Sequence, residues 1–273
     1  MLKITQLLKE SLTTYKLNFK KIFWIALPIL VLGIIGEYYI EVFNTMIDKE
    51  DFANIPYLFA SITIWILTIL IVTLYFSPVL KRAIQKKEDG EQFNTNLAYS
   101  FQKKNIFKWI MVNVWGMLYM LWIMLPYILV SVLLTVILFM HLDTYNNILI
   151  LTSLIGLTIL TGTVLNITKF MLYKNIFFSK DGIPARDAVR ESIKLGKTKN
   201  GQLWSLISAL IILFIINIII FFALINLSDL LIDKVSNNVL FYSEIIVNGA
   251  LSSLIFLPLM SIIVAKGYVK IRE

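Results

Sequence analysis

Six stretches of this chain run for 19 to 32 residues with at most one charged side chain each: Ile22–Ile40, Tyr57–Leu80, Trp109–Met140, Ile148–Phe170, Leu203–Ile225 and Val239–Ala265. A helix of about 20 apolar residues crosses the hydrocarbon of a bilayer. A chain of 273 residues with 58% hydrophobic and only 15% charged residues cannot hide that much apolar surface in a water-soluble core. The expected fold is therefore an all-α integral membrane protein with six transmembrane helices in one domain spanning residues 1–273.

The charges between these stretches alternate. Residues 1–21, 81–108, 169–202 and 266–273 hold 23 of the 25 lysines and arginines, whereas the other three connections hold only Lys49 and Lys234. Those three carry Glu41, Asp48, Glu50, Asp51, Asp143, Asp229 and Asp233 instead. Basic residues in short loops stay on the cytoplasmic side, so the alternation predicts an even number of spans with both termini in the cytoplasm. It also accounts for the net charge of +8 without nucleic acid. Basic side chains beside a membrane attract anionic lipid headgroups at about 1 kcal/mol each. The Lys- and Ile-rich composition fits a multi-pass protein of a bacterial cytoplasmic membrane.

The third stretch is too long: 32 residues at a helical rise of about 1.5 Å exceed the roughly 30 Å of hydrocarbon. Either one tilted or kinked helix projects beyond the bilayer, or Pro126 breaks it to line a cavity.

An internal repeat is visible. Leu7-Leu8-Lys9-Glu10-Ser11-Leu12, Asn96-Leu97-Ala98-Tyr99-Ser100-Phe101 and Ala188-Val189-Arg190-Glu191-Ser192-Ile193 each precede a basic stretch and then Trp24, Trp109 or Trp204. Lys87-Glu88-Asp89-Gly90 and Ser179-Lys180-Asp181-Gly182 correspond, as do Pro78 and Pro258. Three units of approximately 1–90, 91–182 and 183–273 follow, each a short cytoplasmic helix and then a transmembrane hairpin. On these helices Ile4, Leu8, Leu12, Tyr15 and Phe19, then Phe93, Leu97 and Phe101, then Ala185, Val189 and Ile193 recur at helical spacing. Leu8, Leu12, Leu97, Phe101, Val189 and Ile193 are thus expected to lie in the headgroup layer or to dock a cytoplasmic protein. Pro184 suits the start of the third short helix and Gly196 its exit.

Residues 168–210 add a resemblance. A span end, Asp181-Gly182, the Ala188-to-Ser192 helix, Lys197 to Lys199 and an aromatic Trp204 opening the next span follow one another. This pattern resembles the membrane domain attached to some bacterial glycerophosphoryl diester phosphodiesterases, and related stand-alone six-span proteins. The tail Gly267-Tyr268-Val269-Lys270-Ile271-Arg272 is similar to that family's ending. Relatives often have Pro-Gly in the fourth span where this chain has Thr161-Gly162. The phosphodiesterase catalytic barrel has no counterpart in the sequence, so the resemblance implies a fold and a membrane home without hydrolytic activity.

Chemistry-bearing patterns are sparse. Cysteine is absent and His141 is the single histidine, which removes thiolate, iron–sulfur and multi-histidine metal sites. There is no Walker motif, no Gly-Xaa-Gly-Xaa-Xaa-Gly and no His-Glu-Xaa-Xaa-His. No cofactor, no metal and no enzymatic activity are expected. The remaining candidate is an intramembrane polar site of Glu244, Asn248, Asn113 and Asn217, since ionisable groups inside membranes default to function. The amides alternatively serve packing between helices, as would Gly33, Gly36, Gly162 and Gly249. The leading expectation is a scaffold or accessory in a lipid-related or envelope process. The alternative is the permease subunit of an exporter, ABC-type or for peptide export and immunity, working with a separate ATPase.

Overall fold

The computed structural model describes residues 3–47, 55–141, 146–231 and 249–272, with Ser243, Ile246 and Val247 between them. Helices α1 (Ile4–Ile47), α2 (Ile55–Ile71), α3 (Ser77–Glu88), α4 (Thr95–His141), α5 (Asn146–Phe170), α6 (Tyr173–Ser179), α7 (Ala185–Thr198), α8 (Asn200–Leu231) and α9 (Leu257–Arg272) follow in order. Among the described residues there is no strand. Five segments are long and apolar enough to cross a membrane: Ile4–Ile40, Pro56–Glu88, Thr95–Leu133, Asn200–Leu224 and Leu251–Arg272. The expected fourth span coincides with α5, a helix of 25 residues. The side chains of residues 146–155 lie outside the described ones.

The pre-span stretches are helical, but only the third is a separate short helix. Nothing between Ser11 and Trp24 interrupts α1, because its Lys- and Leu-rich sequence has good helix propensity. In α4 the corresponding join is marked by Asn105, at φ −111° and ψ 15°. The helix otherwise runs unbroken through Pro126, so the long third stretch is one helix whose irregularity lies before the span. In the third unit Pro184 (φ −52°, ψ 137°) precedes α7, and Lys199 (φ −115°, ψ 27°) separates α7 from α8.

Pro78 and Pro258 share a local structure. Each follows a π-helical turn, Val72–Phe76 and Leu251–Phe256, in which the Ser77 N–H reaches the Val72 carbonyl and the Leu257 N–H the Ser252 carbonyl. Proline has no N–H for the carbonyl four residues before it, and its ring crowds that carbonyl. Widening the preceding turn relieves the crowding and leaves the carbonyls of Leu74 and Leu254 in need of donors. Distant side chains supply them. Gln102 Nε2 donates to the Leu74 carbonyl at 3.0 Å and the Tyr15 hydroxyl to the Leu254 carbonyl at 2.8 Å. Where α5 gives way to a turn at Met171 and Leu172, the Ser192 hydroxyl donates to the Lys169 carbonyl at 2.7 Å. In three places, then, a polar side chain from a helix that precedes one apolar stretch caps an open carbonyl near or within another.

The structure also moves the register of the second pre-span helix. Ser11 and Ser192 are fully buried, whereas Ser100 is exposed and Gln102 takes the buried place. Leu7, Ala98 and Ala188, each four residues before the buried polar group, are buried with it.

The chain forms two compact units, residues 1–106 with 204–273, and residues 107–203. In the first, α1 packs on α2 and α9, and α3 packs on α9. The last helix carries the core: its Ile262, Tyr268 and Ile271 are fully buried, as are Leu7 and Ile22 of α1 and Leu80 and Ile84 of α3, the two helices it packs on. Its basic residues close the unit. Lys266 bonds Glu88 at 2.5 Å, Lys270 bonds Glu10 at 2.7 Å, and Arg272 bonds Asp89 at 2.8 Å. Residues Gly90 (φ 91°) and Gly182 (φ 80°) turn the chain after α3 and α6 in the left-handed region that glycine adopts freely.

In the second unit Trp109 is buried against Phe177 and Phe178, with ring centroids 5.8 and 4.7 Å away. Helix α7 packs on α5 and α6 through Ala188, Val189, Ser192 and Gly196. Gly196 is not an exit residue; α7 continues to Thr198. A Cβ at Gly196 would lie 2.6 Å from Lys169 Cα and 2.8 Å from the Thr168 carbonyl oxygen, so its role is close helix approach.

Candidate functional site

Of the four residues expected to form an intramembrane polar site, Glu244 and Asn248 lie outside the described residues. Asn113 belongs to the second unit, and its Nδ2 donates to the Trp109 carbonyl of its own helix at 2.8 Å. Asn217 belongs to the first unit and borders a cavity of about 160 Å³ with Phe221, Leu251 and Ser252, beside the π-helical turn.

The six residues expected on interfacial helices divide. Leu12 and Leu97 are 46% and 67% exposed, as lipid or partner contact requires. Leu8, Phe101 and Ile193 are half-buried, and Val189 is buried against its own unit. The inward face is shifted from the expected stripe because the buried polar residues Ser11, Gln102 and Ser192 belong to it. Apolar periodicity alone could not find a face that includes serine and glutamine. Phe101 has a further contact, with the Arg82 guanidinium 4.3 Å from its ring centre.

The most distinctive polar arrangement lies in the second unit, around α7. Its sequence is strongly amphipathic: Ala188, Val189, Ser192 and Gly196 are buried, while Arg186, Arg190 and Lys194 recur every fourth residue on another side. Tyr119 of α4 belongs to the same unit. Trp115, one turn earlier, lies beside that ring at a centroid distance of 6.0 Å. Among the described residues neither arginine is in an ion pair. The neighbouring carboxylate of Glu191 is engaged by Lys180 at 2.7 Å. Arg190, Lys194, Asp187 and Glu191 line an open cavity of about 510 Å³.

In the same unit, burial lowers the affinity of the Lys174 amine for its proton, and the amine lies 5.7 Å from the ring centres of Trp109 and Tyr173. Burial likewise pushes the Tyr173 hydroxyl up to about 12. Helices α4 and α5 also enclose a groove of about 230 Å³ lined by Met120, Ile123, Met124, Thr163, Ile167 and Phe170. The one amide on its wall, Asn166, is committed: its Nδ2 donates to the Gly162 carbonyl and its Oδ1 accepts from Lys169 at 2.6 Å. The four-residue repeat of Arg186, Arg190 and Lys194 was legible from sequence. The close approach of Gly196 to the Lys169 backbone was not.

The architecture defines an all-helical protein whose principal helices are long and apolar enough for a bilayer. Comparison with family models, with curated proteins and with solved structures finds no match to this chain.

Proposed function

We propose that this chain is a multi-pass protein of a bacterial cytoplasmic membrane. It has six spans arranged as three helical-hairpin repeats, with both termini in the cytoplasm. It serves a lipid-related or cell-envelope process as a non-enzymatic scaffold or accessory. The observation that carries this reading is the use of buried polar side chains: Tyr15, Gln102 and Ser192 each join a pre-span helix to a carbonyl elsewhere in the chain. The ion pairs of Lys266, Lys270 and Arg272 likewise join helix to helix. Polar chemistry committed to holding helices together, on basic segments suited to anionic headgroups, favours a fixed membrane platform. The resemblance to the membrane domain of glycerophosphoryl diester phosphodiesterases points the same way, toward the lipid environment.

The test is gentle purification of the tagged chain from native membranes, with mass spectrometry of co-eluting proteins and lipids, beside a deletion strain. Co-eluting lipid and an altered envelope composition are the expected results. Unchanged lipid content and stress tolerance in the deletion strain, with no lipid retained, would refute the proposal.

A second reading, the permease subunit of an exporter, is favoured by one observation: Leu12, Leu97 and Phe107 present exposed apolar side chains on or beside the pre-span helices. Such side chains suit docking of a cytoplasmic ATPase. A stoichiometric ATPase in the same purification would put this reading first, and its absence from native membranes would remove it.

A further inference from the structure

We propose that the groove between α4 and α5 holds one acyl chain of an anionic phospholipid whose phosphate is bound by the Lys169 amine at the groove wall. The inference rests on the membrane reading above and adds to it a particular site and ligand class.

Two packing contacts bound the groove. At one end the Tyr173 ring sits on Gly116, where a Cβ would lie 2.7 Å from the ring's Cζ. At the other the Tyr127 ring sits on Gly162, where a Cβ would lie 2.7 Å from the ring's Cγ. Only glycine admits a ring so close, so α4 is held against its neighbours at these two points and the space between them stays open. From Gly116 to Tyr127, α4 rises about 16 Å, close to half of the roughly 30 Å of hydrocarbon. That is the depth of one leaflet, the reach of one acyl chain. The wall offers nothing to a polar occupant. Its Thr163 hydroxyl donates to the Ile159 carbonyl at 2.9 Å, and its Asn166 amide is hydrogen-bonded through both the nitrogen and the oxygen. Flexible thioethers at Met120 and Met124 adapt to a chain of variable conformation.

Lys169 supplies the place for the head. Its amine donates at 2.6 Å to Oδ1 of Asn166, a residue of the groove wall, which fixes the cation beside the groove. Its backbone is fixed as well, because the Ser192 hydroxyl donates to its carbonyl at 2.7 Å and Gly196 packs on its Cα. An ammonium has three N–H donors and Asn166 takes one, leaving two for phosphate oxygens. Lys174 adds a second cation at the Tyr173 end, its amine 5.7 Å from that ring centre. Among the described residues neither lysine is in an ion pair. A preorganised cation without a counterion, joined to an apolar groove, favours an amphiphile of net negative charge over a zwitterion whose own ammonium offsets the attraction.

The experiment uses the intact chain in detergent micelles containing equal amounts of phosphatidylglycerol and phosphatidylcholine, read by native mass spectrometry. Wild type should retain one phosphatidylglycerol in preference to phosphatidylcholine. Lys169→Gln should reduce that retention about fivefold, whereas Lys169→Arg keeps the charge and should preserve most of it. Ile167→Trp, at a position 39% exposed, fills the groove, leaves the charges intact and should reduce retention at least as much. Equal retention of the two lipids by wild type, or undiminished retention in either Lys169→Gln or Ile167→Trp, overturns the proposal. A dimer that Ile167→Trp dissociates also overturns it, by assigning the groove to a second copy of the chain. Displacement of phosphatidylglycerol by excess inorganic phosphate overturns it too, assigning Lys169 to a soluble phosphate compound. These failures leave the membrane reading standing. That reading falls separately if alkaline carbonate releases the chain from membranes.

Discussion

Replacing Tyr15 with phenylalanine removes one hydroxyl and tests why the chain tolerates a proline in its last span. That hydroxyl donates to the Leu254 carbonyl at 2.8 Å across 239 residues of sequence, and the Tyr15 side chain is 9% exposed. Pro258 cannot donate to that carbonyl, so Tyr15→Phe leaves a part-buried acceptor without its donor. Such an orphan costs about 1–3 kcal/mol in water-soluble proteins, while interhelical hydrogen bonds in membranes average about 0.6 kcal/mol and reach about 1.7 kcal/mol. A loss of about 1–1.5 kcal/mol is expected here, because the π-helical turn already weakens local backbone bonding. For a chain of this size it corresponds to a fall of roughly 2–4 °C in melting temperature. The decisive assay is a double-mutant cycle with Pro258→Ala, followed by thermal unfolding in detergent. Alanine returns an N–H at position 258, so Tyr15→Phe should cost close to nothing in that background. Equal costs in the two backgrounds would refute the proposition that Tyr15 substitutes for the proline's missing donor.

The ion pairs at the end of α9 should be unequal. Glu88→Gln leaves buried Lys266 without its charge partner and should destabilise by about 2–4 kcal/mol, whereas Asp89→Asn on exposed Arg272 should cost below about 1 kcal/mol, as measured by chemical unfolding. Gly196→Ala drives a methyl group into the Lys169 backbone and should lower stability by about 1–3 kcal/mol, with increased proteolysis of the α7 segment; wild-type behaviour would mean that α7 does not lie against α5. Burial works against ionisation of Glu10, but hydrogen bonds from Lys270 and Gln6 and the nearby lysine charges outweigh it and hold the carboxyl below its ordinary range. A carboxyl depressed on folding contributes stability above its unfolded pKa and loses that contribution as pH falls through the folded value. Acid titration of wild type should therefore lose stability in that window, and Glu10→Gln should flatten the loss.

How much could be read in advance differs from element to element. The apolar stretches from Trp109 and Leu203 fall within α4 and α8, and the Asp-Gly pairs after α3 and α6 are left-handed turns at Gly90 and Gly182. Pro78 and Pro258 were visible as equivalent residues, but not the π-helical turns before them or the side chains that cap Leu74 and Leu254. Ser100 is the closer local match to Ser11 and Ser192, yet it is exposed and Gln102 is buried. Burial of Gln102 depends on a carbonyl 28 residues away. Of the polar residues expected to act together, Asn113 bonds its own helix and Asn217 borders a small cavity.

The division has a physical basis. Transfer of side chains from water to lipid and the sidedness of lysine and arginine are properties of short stretches, largely independent of what those stretches touch. The sequence by itself therefore determined the helical class, the apolar segments and the alternation of charge. Hydrogen bonds to carbonyls left open by proline and the fit of Gly196 on Lys169 depend on side chains placed together by packing over tens to hundreds of residues. Only the tertiary structure decided them, because a hydrogen bond or a van der Waals contact is set within a few tenths of an ångström and no local pattern encodes a distance across the chain.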